Sequence, residues 1–311
     1  MDTQNKDTNQ KILEVKNLKT WFYTHKGVVK AVDSVSFDLE KGEILGIVGE
    51  SGGGKSVTGF SVIRLIEEPG RIEGGEIIFK GVDLLKKSNS YMTSIRGKEI
   101  SMVFQDPMTS LNPVYTIGRQ LEEVLILHQD LTKEQRHKRC VELLNTVGIP
   151  NAENLLNNYP YQLSGGMRQR IIISIALASN PDLIIADEPT TALDVTIQAQ
   201  ILKLMEKLTK ETGCALILIT HDLAVISEMT DRVNVMYCGK IVESGYTQDI
   251  INAPAHPYTQ GLLGSIPNID EDRPRLHTIR GIVPNMFELP KGCMKQNREH
   301  EVLQRKKGCA V

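Results

Sequence analysis

Apolar and polar positions change period several times along the chain, and each change marks an element. Residues 12–18 alternate apolar and polar, as a half-buried strand does. Residues 31–39 alternate in the same way through Val32, Val35, Phe37 and Leu39, and Glu40-Lys41-Gly42 closes them as a turn. Short apolar runs at 43–48, 76–79, 100–104, 183–186, 215–220, 233–236 and 240–242 predict further strands. Helical spacing predicts helices over 57–66 (Val57, Phe60, Ile63 and Leu65 as packing positions), 117–128, 133–147, 198–212 and 223–229. Strands alternating with helices imply an α/β chain whose largely parallel sheet presents its ligand at the carboxyl edge. Between 106 and 158 helical spacing replaces strand spacing, so a helical insertion is expected there. Residues 83–97 are polar and predict a short helix and loop; beyond 252, Pro and Gly predict turns and short pieces. Residues 1–11 read as a frayed polar tail, and no internal repeat is visible.

Bulk properties narrow the function classes. At 311 residues with 41% apolar content, the chain can bury a real core as one large domain or two modest ones. A formal net charge of −2 gives no global field for nucleic acid. The apolar runs fall far short of the roughly 20 residues that cross a bilayer, so any membrane work is expected from its surface. The N-terminal stretch lacks an apolar core and does not read as a signal peptide. Five scattered cysteines (Cys140, Cys214, Cys238, Cys293 and Cys309) suit a reducing cytosol better than a disulfide framework.

Three segments carry chemistry. Gly49-Glu50-Ser51-Gly52-Gly53-Gly54-Lys55-Ser56 matches the phosphate-loop pattern G-x-x-x-x-G-K-[ST], with a strand-like run before it and a helical run from Val57 after it. Glycines let the loop's N–H groups turn toward an anion, and the helix start adds partial positive charge. Lys55 would reach the β- and γ-phosphates, and Ser56 would bind Mg²⁺. The apolar run Leu183-Ile184-Ile185-Ala186 ends in Asp187-Glu188. Asp187 at the strand end suits Mg²⁺ through water, and Glu188 one residue on suits the attacking water; alone, the pair equally fits a solvated turn. Leu163-Ser164-Gly165-Gly166-Met167 opens a helix, with Ser164 as N-cap and small residues that leave N–H groups open. Taken alone, Ser-Gly-Gly is also common at ordinary capped helices.

In order, residues 49–56, Gln105, 163–167, Asp187-Glu188, Ala192-Leu193-Asp194 and His221 resemble the ATP-binding subunit of ABC transporters over residues 12–293. The resemblance implies an α/β P-loop NTPase (RecA-like) core with an antiparallel β subdomain, an inserted α-helical subdomain and a Pro/Gly-rich C-terminal extension. The implied ATPase domain spans 12–250, with its helical subdomain over 106–178, followed by an extension at 251–293 and an atypical polar tail at 294–311. It implies ATP and Mg²⁺ as cofactors, with residues 49–57, Val57 included, on the nucleotide. Ser56, Gln105 and Asp187 would serve the metal. Glu188, His221 and Gln105 would be catalytic, with His221 on the γ-phosphate and Gln105 also linked to the helical insertion. Ser164, Gly165 and Gly166 would contact the γ-phosphate held by a partner's loop, and Asp194 would lie at the dimer seam. Phe22, with Tyr23 as the alternative, would stack on adenine; by residue type alone, Trp21, Phe22 and Tyr23 read more readily as core. Met167 replaces the commoner Gln of the signature.

A narrower resemblance, to the oligopeptide/dipeptide importer subclass that nickel importers share, rests on two blocks. One is Phe104-Gln105-Asp106-Pro107-Met108-Thr109-Ser110-Leu111-Asn112-Pro113. The other is His256-Pro257-Tyr258-Thr259 with Ile266-Pro267, the run Ile279-Arg280-Gly281-Ile282-Val283-Pro284, and Pro290-Lys291-Gly292-Cys293. It implies peptide import at the cytoplasmic face of the membrane. The implied partners are a related second ATPase, two permease subunits and, indirectly, an extracellular solute-binding protein, with no nucleic acid. The subclass's cysteine series breaks after Cys293, leaving only Cys309, so no iron–sulfur cluster is expected. Residues 294–311 look like an altered or truncated terminus without a functional account. The remaining histidines, His25, His128, His137, His256, His277 and His300, show no metal spacing and read as surface residues. The alternatives are a soluble ABC ATPase of DNA repair or translation, nickel as cargo, a P-loop kinase and a structural dimerisation module. The single motif set without coiled coil or basic face disfavours the first. The signature helix and His221 argue against a kinase, and Glu188 against an inert scaffold.

Overall fold

The structure is a computed structural model of the chain and describes residues 10–191, 193–265 and 286–287. They form two compact units, each assembled from separated stretches of sequence. Among the described residues, the first is drawn from 10–14, 38–45 and 78–220, the second from 15–37, 46–77, 221–265 and 286–287.

Two long strands come first, β1 (Lys11–Thr24) and β2 (Gly27–Glu40), then β3 (Ile44–Val48), α1 (Lys55–Val62), β4 (Gly70–Phe79) and β5 (Val82–Asp83). In the first unit, β4 and β5 end in a tight antiparallel pair, Ile78 against Asp83. A 3₁₀ turn at Leu84–Lys86 and α2 (Asn89–Ile95) occupy the expected polar stretch. The first unit then carries β6 (Ile100–Val103), α3 (Pro107–Ser110), α4 (Ile117–His128), α5 (Lys133–Thr146), α6 (Ala152–Leu155), α7 (Gly165–Leu177), β7 (Leu183–Asp187), α8 (Val195–Thr212) and β8 (Ala215–Thr220).

Strands β6, β7 and β8 run parallel, with Ile100 beside Leu183 and Leu183 beside Ala215. All residues of β7 and β8 are buried. Uninterrupted Leu/Ile runs suit strands covered on both faces, where alternation has no meaning. Just after the turn at Gly42 the chain joins this ladder, Glu43 O accepting Leu216 N–H at 2.9 Å. Side-chain caps fix the helical insertion: Thr116 begins α4, and Thr132 with Gln135 makes a capping box for α5. The α7 helix is the buried one among them, with Ile171, Ile172, Ile173, Ala176 and Leu177 inside.

In the second unit the long strands lie in the order β2-β1-β4. Following β3, the unit continues through α9 (Leu223–Met229), β9 (Arg232–Tyr237), β10 (Lys240–Tyr246), α10 (Thr247–Asn252) and α11 (Pro257–Gly264). The β9–β10 hairpin pairs Tyr237 with Lys240 across a two-residue turn. Both turn residues, Cys238 (φ 46°) and Gly239 (φ 78°), have the positive φ that a tight hairpin turn demands. Val48, Leu223, Ile226, Val233, Val235, Tyr237, Tyr258 and Leu262 share one core. The Tyr237 and Tyr258 rings sit 4.3 Å apart, a pairing worth about 0.5–1.5 kcal/mol beyond the area it buries.

The expected helix over 57–66 needs correction. The helix after the phosphate loop stops at Val62, because Arg64 takes φ 55°, and Leu65 is 40% exposed instead of packed. Its buried face is Lys55, Thr58, Gly59, Ser61 and Val62, which apolar spacing could not show. Among the short pieces expected beyond 252 is α11, with Tyr258, Thr259 and Leu262 buried. His256 is a helix cap, its Nδ1 accepting Tyr258 N–H at 3.1 Å. Ile266, Pro267, the run 279–284, Pro290, Cys293, Cys309, His277, His300, Ala192 and the tails at 1–9 and 294–311 lie outside the described residues.

Candidate nucleotide site

The phosphate loop belongs to the second unit, where fully buried β3 delivers the chain to Gly49. Two of its glycines are obligatory. Gly49 sits at φ 156°, and an added Cβ would come 2.1 Å from the Met236 carbonyl oxygen. Gly54 sits at φ 97°, and its Cβ would meet the Ala31 carbonyl oxygen at the same 2.1 Å. Neither backbone can yield cheaply, so the loop's course requires glycine. Within the loop Gly53 N–H donates to Glu50 O at 3.1 Å, and Gly239 N–H reaches Gly53 O at 2.9 Å. Helix α1 begins at Lys55 with no side-chain cap. Gly54 has no side chain to cap it, and an uncapped helix start is the kind that accepts anions. Lys55 is 4% exposed, and its Nζ donates to the carbonyls of Gly49 at 2.8 Å and Glu50 at 3.1 Å. Its ammonium group is folded over the loop. Ser56 and Val57 are half-buried, while Ser51 and Gly52 are exposed at the tip.

The same unit holds both aromatic candidates. Phe22 is half-buried, its ring edge filling the space where Gly70 lacks a side chain. Tyr23 is exposed, with the Arg71 guanidinium 5.7 Å from its ring centre; a hydrogen bond with Glu73 holds its phenol above the ordinary pKa. His221 follows β8 directly and is exposed.

In the first unit the carboxyl ends of parallel strands bring the acidic candidates together. Asp187, the last residue of β7, is 2% exposed, and Glu188 is 8% exposed. Glu188 adopts φ 44°, a left-handed conformation unusual for a side-chain-bearing residue, and its N–H donates to Ile219 O at 2.8 Å. That conformation costs on the order of 1–3 kcal/mol and persists only where the surroundings impose it, as at functional sites. Gln105, two residues beyond β6, donates Nε2–H to Glu188 Oε2 at 3.0 Å, and Thr191 Oγ1 donates to the same oxygen at 2.8 Å. Two donors on one oxygen fix the orientation of that carboxylate. Sequence reasoning named Gln105 and Glu188 but not Thr191, whose contact could be sought three residues after the acid, within reach of a turn.

The signature residues are also in the first unit. Ser164 caps α7, its Oγ accepting Met167 N–H at 3.4 Å, and Ser164 and Gly165 are exposed. Gly166 has a packing reason the sequence did not reveal: a Cβ there would lie 2.7 Å from Ile197 Cγ2 on α8. Asp194 caps α8, accepting Ile197 N–H at 3.0 Å. Cys140 and Cys214 are buried, and burial pushes both thiols up to about 12, so neither is a thiolate at neutral pH.

In the second unit, a glycine-lined helix start with a buried lysine has the chemistry that suits phosphate, and the Ser56 hydroxyl is an oxygen donor of the kind a hard cation takes. In the first unit, the buried Asp187 carboxylate is a donor of the same kind. Residues 32–191 match the model of the family described as ABC transporter. The chain belongs to the ABC transporter family. Residues 242–309 match a second family, the oligopeptide/dipeptide transporter C-terminal region. The oligopeptide transport ATP-binding protein AppD of Bacillus subtilis is 52% identical over 283 residues, covering 91% of this chain and 86% of AppD. The dipeptide transport ATP-binding protein DppD of Haemophilus influenzae is 49% identical over 287 residues, covering 92% of this chain and 87% of DppD. Among solved structures, a dimeric ATP-binding cassette in a post-hydrolysis state with ADP and Pi superposes with TM-score 0.68 at 30% identity. That superposition covers 76% of this chain and 98% of the cassette. CbiO1 of Clostridium perfringens, part of an ABC transporter complex, gives TM-score 0.66 at 26% identity, covering 78% of this chain and 91% of CbiO1. As a family member the chain is an ATP-binding, ATP-hydrolysing subunit of a membrane transporter complex. Among the described residues no helix is long and apolar enough to cross a membrane.

Proposed function

We propose that this subunit powers the import of oligopeptides or dipeptides from the cytoplasmic face of the cell membrane. One observation carries the cargo: an ABC ATPase match and an oligopeptide/dipeptide-type C-terminal region occur in one chain, over residues 32–191 and 242–309. The named peptide transporters among its relatives support the same reading.

The roles follow from the chemistry of each group. Residues 49–57 wrap the phosphates with backbone N–H groups, and Lys55 turns from the Gly49 and Glu50 carbonyls to the β- and γ-phosphates. Ser56, Asp187 and Gln105 would hold or sense Mg²⁺, which when bound would supply neutralisation of the phosphate charge. Glu188, already oriented by Gln105 and Thr191, accepts the proton of the attacking water. His221 hydrogen-bonds the γ-phosphate, and Phe22 or Tyr23 stacks on adenine. Ser164, Gly165 and Gly166 offer the open start of α7 to the nucleotide of a second, related ATPase subunit, with Asp194 at the seam. Two permease subunits and an extracellular solute-binding protein complete the importer.

The test has two arms. In cells lacking the gene, this chain should restore uptake of labelled dipeptide or oligopeptide and leave nickel uptake unchanged; the reverse pattern would replace peptide by nickel. Glu188→Gln should bind ATP normally while turnover in the assembled transporter falls by roughly 10²-fold or more. Hydrolysis at the parent rate would remove Glu188 from the chemistry.

A further inference from the structure

The second residue of the phosphate loop is held by the far end of the chain. Tyr258 Oη accepts the backbone N–H of Glu50 at 2.9 Å, 208 residues away in sequence. Tyr258 lies on α11, in the segment that belongs to the oligopeptide/dipeptide-type C-terminal region. Its ring is fully buried against Tyr237.

Several contacts aim that hydroxyl. Glu243 on β10 accepts Ala255 N–H at 2.6 Å and His256 N–H at 3.1 Å, clamping the approach to α11. His256 Nδ1 then accepts Tyr258 N–H at 3.1 Å and fixes the first turn. The neighbouring hairpin grips the loop as well, through Gly239 N–H to Gly53 O at 2.9 Å. The ring alone satisfies the core, and a phenylalanine would fill the same space. The hydroxyl has a separate task.

We propose that Tyr258 is a positioning residue for nucleotide binding: its hydroxyl pre-orders the entry limb of the phosphate loop, making the C-terminal extension part of the nucleotide site's support. Ordering the loop before ATP arrives removes an entropy cost from binding. The inference rests on the reading of residues 49–56 as the phosphate-binding loop.

The test compares Tyr258→Phe with the parent in the full-length chain, titrating ATP in the presence of Mg²⁺. The Kd for ATP should rise roughly 3- to 10-fold, the span that one net hydrogen bond supplies. The nucleotide-free Tm should move by no more than about 2 °C, and kcat in the assembled transporter should stay within about two-fold. Amide exchange should quicken at Glu50 and stay parent-like in β9. An unchanged Kd overturns the inference, as does a fall in Tm beyond about 5 °C, which would make the hydroxyl a general structural bond. Lys55→Ala separates the two readings. If it retains parent affinity, the phosphate-loop reading is wrong; if it loses ATP while Tyr258→Phe does not, only the Tyr258 proposal falls.

Discussion

The helix that starts at Lys55 follows a run of glycines and the helix that starts at Gly165 opens with one, but the glycines answer different demands. At Gly54 the backbone is left-handed, and any Cβ would strike a carbonyl oxygen at 2.1 Å. At Gly166 the obstacle is a side-chain methyl of Ile197 at 2.7 Å. The first helix has no capping side chain and a lysine folded over its loop; the second is capped by Ser164 and exposed at its start. One glycine run makes a closed cradle. The other keeps two helices close and leaves an open end. Similar composition therefore conceals a backbone requirement in one place and a packing requirement in the other.

Substitution can break that distinction. Gly54→Ala should have the largest effect, because both the φ and the opposing carbonyl resist it: ATP affinity should fall at least about 100-fold, together with Tm, in titration and thermal melts. Parent-like ATP binding would show that the loop can be redrawn without glycine. Gly166→Ala should cost about 1–3 kcal/mol, the usual range for overpacking, and leave the chain's own ATP affinity unchanged. Ile197→Ala on that background should return part of the lost Tm, since it removes the methyl in the way. If the double variant is no better than the single, packing is not why Gly166 is small. Ser164→Ala should be mildest, at roughly 0.5 kcal/mol, because its capping bond is long at 3.4 Å. A much greater loss of ATP turnover in the assembled transporter than of stability would sharpen the assignment of Ser164 to a partner's nucleotide.

The legible parts share a cause. The phosphate loop, the acids at the end of β7 and the start of α7 could be read because each is a short local pattern tied to a strand end or a helix start. Helices α4, α5 and α9 were readable from apolar spacing, which is also local. Thr191 was not legible, since its value depends on where the Glu188 carboxylate points once Glu188 adopts φ 44°. The extent of α1 was not legible either: its buried face includes Lys55, Thr58 and Ser61, residues that apolar periodicity counts as surface. Helix α11 was hidden behind Pro and Gly, although Pro257 at a helix's first position is a start signal.

By itself the sequence determined which chemistry the chain carries. Loop glycines, a lysine at the next helix start and paired acids at a strand end are local requirements, expressed within a few residues. Tertiary structure alone decided what supports that chemistry: the bond from Gln105 to Glu188, the carbonyls of Ala31 and Met236 that make Gly54 and Gly49 obligatory, and the Tyr258 hydroxyl on Glu50. Those partners lie from 23 to 208 residues away in the chain. Folding within each unit brings them close, Gln105 to Glu188 in the first and the others in the second, and no local pattern encodes which distant residue will arrive there.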